Sequence, residues 1–499
     1  MPFPLMFREG ALSVPVNFAP SATDLLRFSP EIVLTIAGTL LMVLDPIFAR
    51  RLPKMFGHLA ILAFGIAMAA AVAANSVPGA SFSKLLVVDG FATFFRLLVL
   101  GIGILSVLIS YRSLEREGAE TGEYHALLLF SVMGQCLMVA ANDLMMIFIG
   151  LEISSIASYV LTGYLRNDRR NNEAALKYFL LGSFATGFFL YGIAVVYGMT
   201  ATTKLDEIRL ALNAPDTSLS MVGVAAALMI VGLGFKISAA PFQMWAPDVY
   251  QGAPTPVSAF MATGPKAAAF AIFVRIFMTS FHQITALWEP LIWVSALLSM
   301  TIGNFAALTQ NNLKRMLAYS SIAHAGYILV AFAARSQFGT AAIMFYLAAY
   351  GLMNIGAFAV IIHISGRGER HLQLEDLAGL SKKQPVVAAL MTVFLLSFIG
   401  VPLTGGFFGK FYIFRAALDS NLIWLTVLGL VNSAVAAYYY LRLLVIMYMH
   451  EPGEVANSLE PLSPGLGAAL AIPAIGTFLL GMAPGVILDF ARASSVLVK

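Results

Sequence analysis

Long apolar runs recur along the whole 499-residue chain, and many exceed the roughly 18 residues that a helix needs to cross a lipid bilayer. Hydrophobic residues make up 59% of the sequence and charged residues 11%, with a mean hydropathy of +0.84. A set of soluble domains would need far more charged surface. The sequence therefore predicts an all-α polytopic membrane protein, with a single membrane domain over residues 1–499.

The apolar runs predict about fourteen membrane spans. The loops between them are short, and Cys136, the single cysteine, lies within an apolar run. Neither an internal disulfide nor a cysteine cluster can therefore form within this chain. The spans are predicted at residues 30–48, 55–74, 89–111, 124–141, 143–165, 173–199, 219–247, 255–281, 287–309, 313–334, 339–365, 386–417, 422–449 and 465–489.

Basic residues in the loops predict the orientation of the chain. Loops that follow odd-numbered spans contain fourteen lysines and arginines, against about nine on the other face. The odd-loop side is therefore predicted to be cytoplasmic, and both termini are predicted to be periplasmic. The fourteen residues are Arg50, Arg51, Lys54, Arg112, Arg116, Arg166, Arg169, Arg170, Lys314, Arg315, Arg367, Arg370, Lys382 and Lys383.

Spans 7 and 12 are too long for a straight crossing and contain helix-breaking residues. Span 7 carries Pro241 and Pro247, and span 12 contains the string GVPLTGGFFGKF. Broken helices occur in membranes only where they line an enclosed or watery cavity. Spans 7 and 12 lie an odd number of spans apart and enter from opposite faces, which indicates an inverted repeat. We predict two inverted five-helix repeats, residues 123–281 (spans 4–8) and 285–450 (spans 9–13), and a C-terminal span at residues 463–490.

Ionisable residues within the spans are costly, so each is a candidate for function. Several lie next to the breaks in spans 7 and 12, where a cavity is expected. The candidate site residues are Glu152, Lys177, Lys236, Lys266, His324 and Lys410.

Structural explanations compete with some of these assignments. Lys177 lies about five residues into its predicted span and could extend to the cytoplasmic interface. His324 could be a core histidine hydrogen-bonded to a neighbouring helix. Arg275 and Arg442 lie near span ends, and we expect them to be interfacial anchors rather than proton carriers.

A buried lysine and a movable carboxylate can transfer a proton without a metal. Burial disfavours the ammonium form of a lysine, and a nearby carboxylate favours it. Movement of Glu152 towards or away from Lys177 or Lys236 would therefore switch a lysine between holding and releasing a proton. The sequence has no paired histidines, cysteine clusters or carboxylate clusters of the kind that bind haem, iron–sulfur or metal. Redox chemistry is therefore expected in another polypeptide.

Five strings in the sequence resemble the antiporter-like membrane subunits of respiratory complex I. They are LEISS, KYFLLGS, GFKISAAPFQMWAPDVYQGAPTPVSAF, KRMLAYSSIAHAGY and GGFFGKF. Within that family, the YQGAPTPVS version is similar to the subunit N branch of NADH–quinone oxidoreductase. The resemblance covers nearly the whole apolar chain. It implies a fourteen-helix fold with two inverted repeats and a role in proton translocation within a proton-translocating NADH:quinone oxidoreductase.

The resemblance also implies a role for each candidate residue. Gln243 departs from the family, in which many members have a histidine after the span-7 proline. Glutamine can order water but cannot carry a proton by titrating. By resemblance, Glu152 is the span-5 glutamate and Lys177 is its partner lysine on span 6. Lys236 is the central lysine, and Lys266 is the connecting lysine. His324 is a relay group, and Lys410 is the lysine of span 12 that leads to the exit side.

By the same resemblance, this chain binds no cofactor, and other subunits handle NADH, FMN, iron–sulfur clusters and quinone. The expected partners are the neighbouring antiporter-like subunit M, small membrane subunits such as K and J, and lipids, with no nucleic acid. The expected location is the bacterial inner membrane. Two rival hypotheses remain: a subunit of a multi-subunit cation/proton antiporter, and a scaffold of the membrane arm that does not pump.

Overall fold

The computed structural model describes residues 19–48, 53–119, 121–213 and 218–495. Within these ranges, thirteen helical stretches are long and apolar enough to cross a membrane. Two shorter helices in tandem, Pro385–Ile399 and Gly405–Asp419, occupy the position of span 12. The predicted all-α fold with about fourteen spans is therefore confirmed.

The helices of the first half cover spans 1–8. They are α1 (Ala22–Arg27), α2 (Ser29–Phe48), α3 (Pro53–Asn75), α4 (Gly90–Glu117), α5 (Gly122–Ala140), α6 (Leu144–Thr162), α7 (Arg169–Thr200), α8 (Leu205–Ala211), α9 (Leu219–Ile237), α10 (Trp245–Gly252), α11 (Thr255–Met261) and α12 (Gly264–Arg275). Two short antiparallel strands, β1 (Gly79–Ser81) and β2 (Leu86–Val88), pair in the loop before α4, with Ala80 opposite Val87.

A π-helical turn (Ile276–Ser280) and a 3₁₀ turn (His282–Ile284) lead from α12 into the second half, and a second 3₁₀ turn covers Leu374–Leu377. The helices of this half are α13 (Thr285–Leu308), α14 (Leu313–Ala333), α15 (Gln337–Ser365), α16 (Leu380–Lys383), α17 (Pro385–Ile399), α18 (Gly405–Asp419), α19 (Ile423–Met449), α20 (Glu454–Ser458), α21 (Pro464–Met482) and α22 (Pro484–Ser494).

Loops that follow odd-numbered spans contact one another on one face of the bundle. The Arg170 guanidinium donates to the carbonyl of Gly368 at 3.1 Å. Glu369 forms an ion pair with Lys314 at 2.8 Å and accepts a hydrogen bond from the backbone of Thr255 at 2.6 Å. These residues follow four different odd-numbered spans.

Loops that follow even-numbered spans meet on the opposite face. The Leu144 amide donates to the carbonyl of Thr203, and the Ser280 hydroxyl donates to the carbonyl of Leu205, both at 2.8 Å. Successive spans therefore run in alternating directions, as the loop analysis assumed. The cytoplasmic assignment of the odd-loop face stays a prediction, and Arg50 and Arg51 lie outside the described residues.

The breaks predicted in spans 7 and 12 are present. Span 7 is interrupted between α9 and α10, and span 12 between α17 and α18. A third interruption, which was not predicted, lies in span 8, where α11 ends at Met261 and α12 begins at Gly264. Pro265 explains it, because proline has no N–H to donate back to the preceding turn and fits the first turn of a new helix.

Two buried ion pairs join α4 to other parts of the bundle. Arg96 contacts Glu31 of α2 at 2.7 Å, and Arg275 contacts Asp89, the N-cap of α4, at 3.0 Å. The expectation that Arg275 is an interfacial anchor is therefore wrong, because only 3% of its side chain is exposed. Arg442 donates to Asn311 near the surface, which agrees with an anchoring role.

Candidate proton-transfer site

Lys236 lies in the last turn of α9, next to the break in span 7. Its Nζ atom donates hydrogen bonds to the hydroxyls of Ser155 (2.7 Å) and Tyr159 (3.2 Å) on α6. A cavity of about 20 Å³ adjoins the amine, which is room for one water molecule. The last carbonyls of α9 form the negative end of the helix dipole. The break thus supplies both a small cavity, lined in part by serines, and negative potential beside the lysine.

Side chains of α13 and α10 hold this break in place. The Ala240 amide donates to Ser299 Oγ at 2.8 Å, and Ser295 Oγ donates to the Ala240 carbonyl at 2.6 Å. The indole N–H of Trp245 donates to the carbonyl of Phe235 at 2.9 Å. These contacts satisfy backbone groups that an interrupted helix leaves free.

Glu152 lies on the same face of α6 as Ser155 and Tyr159. Its Oε1 atom is buried without a hydrogen-bond partner, and it forms no ion pair within the described ranges. Glu152 lies one helical turn before Ser155, whose hydroxyl accepts from Lys236. Because burial of a carboxylate oxygen without a partner costs free energy, Glu152 would gain stability from the approach of a cation.

Lys177 pairs with Glu173 (2.7 Å) and Asp248 (3.1 Å) rather than with Glu152. Its side chain is 42% exposed, which agrees with the interfacial alternative for this residue. Asp248, which sequence analysis left out of the site, also contacts Arg315 at 2.6 Å. Lys177, Glu173 and Asp248 line a cavity of about 230 Å³ on the odd-loop face. We refer to Lys177, Asp248 and Arg315 as the mouth cluster.

Lys266 is buried in the first turn of α12, directly after the interruption of span 8. Its Nζ atom donates to Ser321 Oγ at 2.5 Å and lies 5.8 Å from the centre of the Tyr250 ring. Ser321 Oγ accepts from the Tyr350 hydroxyl at 2.8 Å, which itself accepts from the Asn354 amide at 2.5 Å. A hydroxyl network therefore extends from Lys266 into α15.

His324 lies within this network on α14. Its Nδ1 atom is 2.5 Å from the Tyr346 hydroxyl, and its Nε2 atom is 3.2 Å from the Tyr440 hydroxyl. The Tyr350 ring, whose hydroxyl contacts Ser321, packs 5.3 Å from the imidazole. His324 is therefore hydrogen-bonded on both sides, as expected both of a relay group and of a core histidine.

Lys410 lies near the break in span 12. Its Nζ atom donates to the carbonyl of Ile399, the last residue of α17, at 2.9 Å and to Ser433 Oγ at 2.7 Å. It also lies 4.9 Å from the centre of the Tyr327 ring, which packs 5.6 Å from the His324 ring. Lys266, His324 and Lys410 are thus linked through hydroxyl and aromatic side chains.

A polar cluster on α5 and α6 connects Lys236 to the beginning of α12. This cluster was not predicted from the sequence. Ser154 and Ser158 line the Lys236 cavity, and Ser131 Oγ lies 3.1 Å and 3.3 Å from their hydroxyls. Gln135 donates to Ser131 at 3.3 Å, and a Cβ atom at Gly264 would lie 2.8 Å from Gln135 Oε1. The four-residue spacing of Ser154 and Ser158 would have placed both on one helix face.

Two further observations concern groups that could carry a proton or hold a metal. Gln243 lies in the break of span 7 with its Oε1 atom buried and unpartnered, and an amide cannot carry a proton by titrating. In the part of the chain that the structure describes, no group of three or more His, Cys, Asp or Glu residues could hold a metal ion.

The fold and the site define a class of protein: a polytopic helical membrane protein whose interrupted helices hold buried lysines, hydroxyls and a histidine. A family model described as NADH:quinone oxidoreductase/Mrp antiporter, TM, matches residues 141–436. The chain is 63% identical over 97% of its length to NADH-quinone oxidoreductase subunit N 1 of Solibacter usitatus, covering 100% of that protein. It is 45% identical over 94% of its length to subunit N of Trichlorobacter lovleyi, covering 96% of that protein. The chain therefore belongs to the NADH-quinone oxidoreductase subunit N family.

Solved structures agree with this assignment. A chain of respiratory complex I from Thermus thermophilus is 36% identical with a TM-score of 0.79, over 94% of this chain and 100% of that one. A chain of the Mrp complex from Dietzia sp. has a TM-score of 0.81 at 22% identity, over 94% of this chain and 97% of that one. The second likeness shows the fold alone.

Proposed function

We propose that this chain is the proton-translocating membrane subunit of an NADH-quinone oxidoreductase. It couples electron transfer from NADH to quinone, in other subunits, to proton export. The observation that carries the proposal is the position of Lys236, Lys266 and Lys410, each beside a helix interruption and each bonded to a hydroxyl. Full-length relatives named subunit N support this function over the cation/proton antiporter alternative.

The proposed sequence of transfers starts with Glu152 and Lys236. While the Glu152 carboxylate is near Lys236, it stabilises the ammonium form of that lysine. This stabilisation is lost when Glu152 moves towards another cation, such as Lys177. The released proton passes through the serine cluster and a water molecule to Lys266, and from there through His324 to Lys410. Because these groups interact, they titrate as a set rather than one by one.

The mouth cluster provides the start of this path on the odd-loop face, which we assign to the cytoplasm. Both termini are then periplasmic, and the membrane is the bacterial inner membrane. Residues 123–281 and 285–450 act as two inverted repeats, each with one half of the path.

We assign no redox centre to this chain; NADH, FMN, iron–sulfur clusters and quinone belong to other subunits. The neighbouring antiporter-like subunit M and small subunits such as K and J are its proposed membrane partners. The exposed apolar side chains of α2 and α19 suit contacts with such subunits or with lipid.

Affinity purification of the tagged chain tests the function. The purified assembly should oxidise NADH with quinone and, in vesicles, acidify one side without added sodium. Sodium/proton exchange without NADH oxidation would contradict the proposal and favour the antiporter. NADH oxidation with full pumping after neutralisation of all three lysines would favour the scaffold.

A further inference from the structure

A polar pocket of about 520 Å³ lies on the even-loop face, away from the proton-transfer site. Its walls come from α8, the two turns after α12 and the beginning of α15. Arg209, Arg335, His282 and Gln283 line it. The pocket therefore lies where the spans end, at the level of lipid headgroups.

The pocket carries an uncompensated positive charge. Arg275, in the wall, is neutralised by Asp89, and Arg335 is neutralised by Glu289 at 2.9 Å. Arg209 forms no ion pair within the described residues. One guanidinium is therefore left to attract an anion.

The polar groups around Arg209 suit a phosphate, although one carboxylate lies nearby. Asp206 lines the same pocket, but it contacts Lys84 at 3.4 Å and accepts from Asn142 at 3.2 Å. The Nε atom of Arg275 is buried without a hydrogen-bond partner. The first turn of α15, where Ser336 caps the Gly339 N–H, points the positive end of a long helix dipole at the pocket.

An apolar stripe begins at the rim of this pocket and runs into the membrane along α13. Leu287, Leu291, Val294 and Leu298 are exposed at a spacing that places them on one face of the helix. Leu287 follows the pocket residues by about one helical turn. Met221 and Val224 of α9 are exposed beside the stripe. Gly223 lies between them, and a Cβ atom added there would be 3.2 Å from Leu287. This short distance shows that α9 lies close to α13 at this point.

We propose that the pocket and the stripe together bind one anionic phospholipid of the adjacent leaflet. The phosphate contacts Arg209 and the beginning of α15, and an acyl chain lies along Leu287, Leu291 and Val294. The charged pocket adjoins the apolar stripe, as the headgroup of a phospholipid adjoins its acyl chains. The site is independent of the proposed proton path.

A photo-crosslinking experiment on the assembled complex tests this site. The complex is placed in nanodiscs with phosphatidylglycerol that carries a diazirine on one acyl chain, and crosslinked peptides are identified by mass spectrometry. Labelling of residues 285–298 is expected. R209Q should reduce it about tenfold, because the variant lacks the guanidinium that would pair with the phosphate. R209K should retain most of it because the charge stays.

The matched control is R169Q, which removes an exposed arginine on the opposite face and should leave the labelling unchanged. Assembly of each variant is checked on a native gel. Equal labelling by a phosphatidylcholine probe, or equal labelling of the R209Q variant, would overturn the proposal and indicate nonspecific lipid contact. Absence of label from α13 in the intact complex would also overturn it, because a neighbouring subunit then covers the stripe.

Discussion

Each lysine beside a helix interruption is bonded to hydroxyl groups rather than to a carboxylate. Lys236, Lys266 and Lys410 contact serines at 2.5–2.7 Å, whereas Arg96 is held by the carboxylate of Glu31. A hydroxyl can donate to a neutral amine or accept from an ammonium. Such partners therefore allow a lysine to change its charge, whereas the ion pair with Glu31 keeps Arg96 charged.

The hydroxyl of Ser321 is expected to carry part of the transfer, since it bonds both Lys266 and Tyr350. Ser321→Ala should lower proton pumping and NADH oxidation together by about tenfold or more, the equivalent of one charged hydrogen bond. Both rates are measured in vesicles. The control, Ser218→Ala, alters an exposed serine. Parent-like pumping in Ser321→Ala would show that this hydroxyl is not in the path.

Asp248 is expected to control access to the path, because it joins Lys177 to Arg315. Asp248→Asn keeps the shape and removes the charge, so it should slow pumping several-fold in an assembled complex. Glu451→Gln, which alters an exposed ion pair with Lys382, is the control. If both variants pump at the parent rate, the mouth cluster is only a surface ion pair.

At the scale of helices, the interruptions depend on close backbone approach as well as on proline. A Cβ atom at Gly406, in the first turn of α18, would lie 1.8 Å from the carbonyl oxygen of Ser397 in α17. Gly400, the C-cap residue that follows α17, has a φ of +91°, a conformation that other residues rarely adopt. Glycine therefore lets the two halves of span 12 overlap, which brings Lys410 to the end of α17.

Gly406→Ala should destabilise the protein by about 1–3 kcal/mol or more, because the backbone must shift to admit the methyl group. Thermal unfolding of the purified complex and its amount on a native gel measure the effect. Gly187→Ala is the control, since nothing lies within 4 Å of a Cβ atom there. Equal stability of the two variants would contradict the close packing of α17 and α18.

Sequence reasoning succeeded where a local signal existed. Pro241 and the glycines around Gly406 predict interruptions, which are present, and a cavity lies beside Lys236 as expected of a lysine near a break. The break in span 8 was missed, although Gly264 and Pro265 mark it, because the length of this span did not single it out. The serine cluster was missed because single serines are ordinary in membrane helices, and only the packing of α5 on α6 joins Ser131 to Ser154.

At the scale of the whole molecule, distant ion pairs fix how the helices assemble. Glu31 and Arg96 are 65 residues apart, and Asp89 and Arg275 are 186 residues apart. Neither pairing follows from spacing, because it depends on which spans become neighbours. This is why Arg275 was mistaken for an interfacial anchor.

Arg96→Met should destabilise the complex by about 3–5 kcal/mol, because it leaves the buried carboxylate of Glu31 unpaired. The double variant Glu31→Leu/Arg96→Met should recover much of that loss, since no charge remains buried. Thermal unfolding of both variants and the parent gives the comparison. A single variant as stable as the parent would mean that the pair contributes nothing to assembly.

The most direct test of proton transfer through the buried lysines is Lys236→Ala. NADH oxidation and proton pumping are measured on the same membranes, with assembly checked on a native gel and Lys382→Ala, an exposed lysine, as control. We predict that Lys236→Ala assembles while both activities fall together, and that the control keeps both. Normal pumping by an assembled Lys236→Ala complex would contradict proton transfer through this lysine and make its role structural.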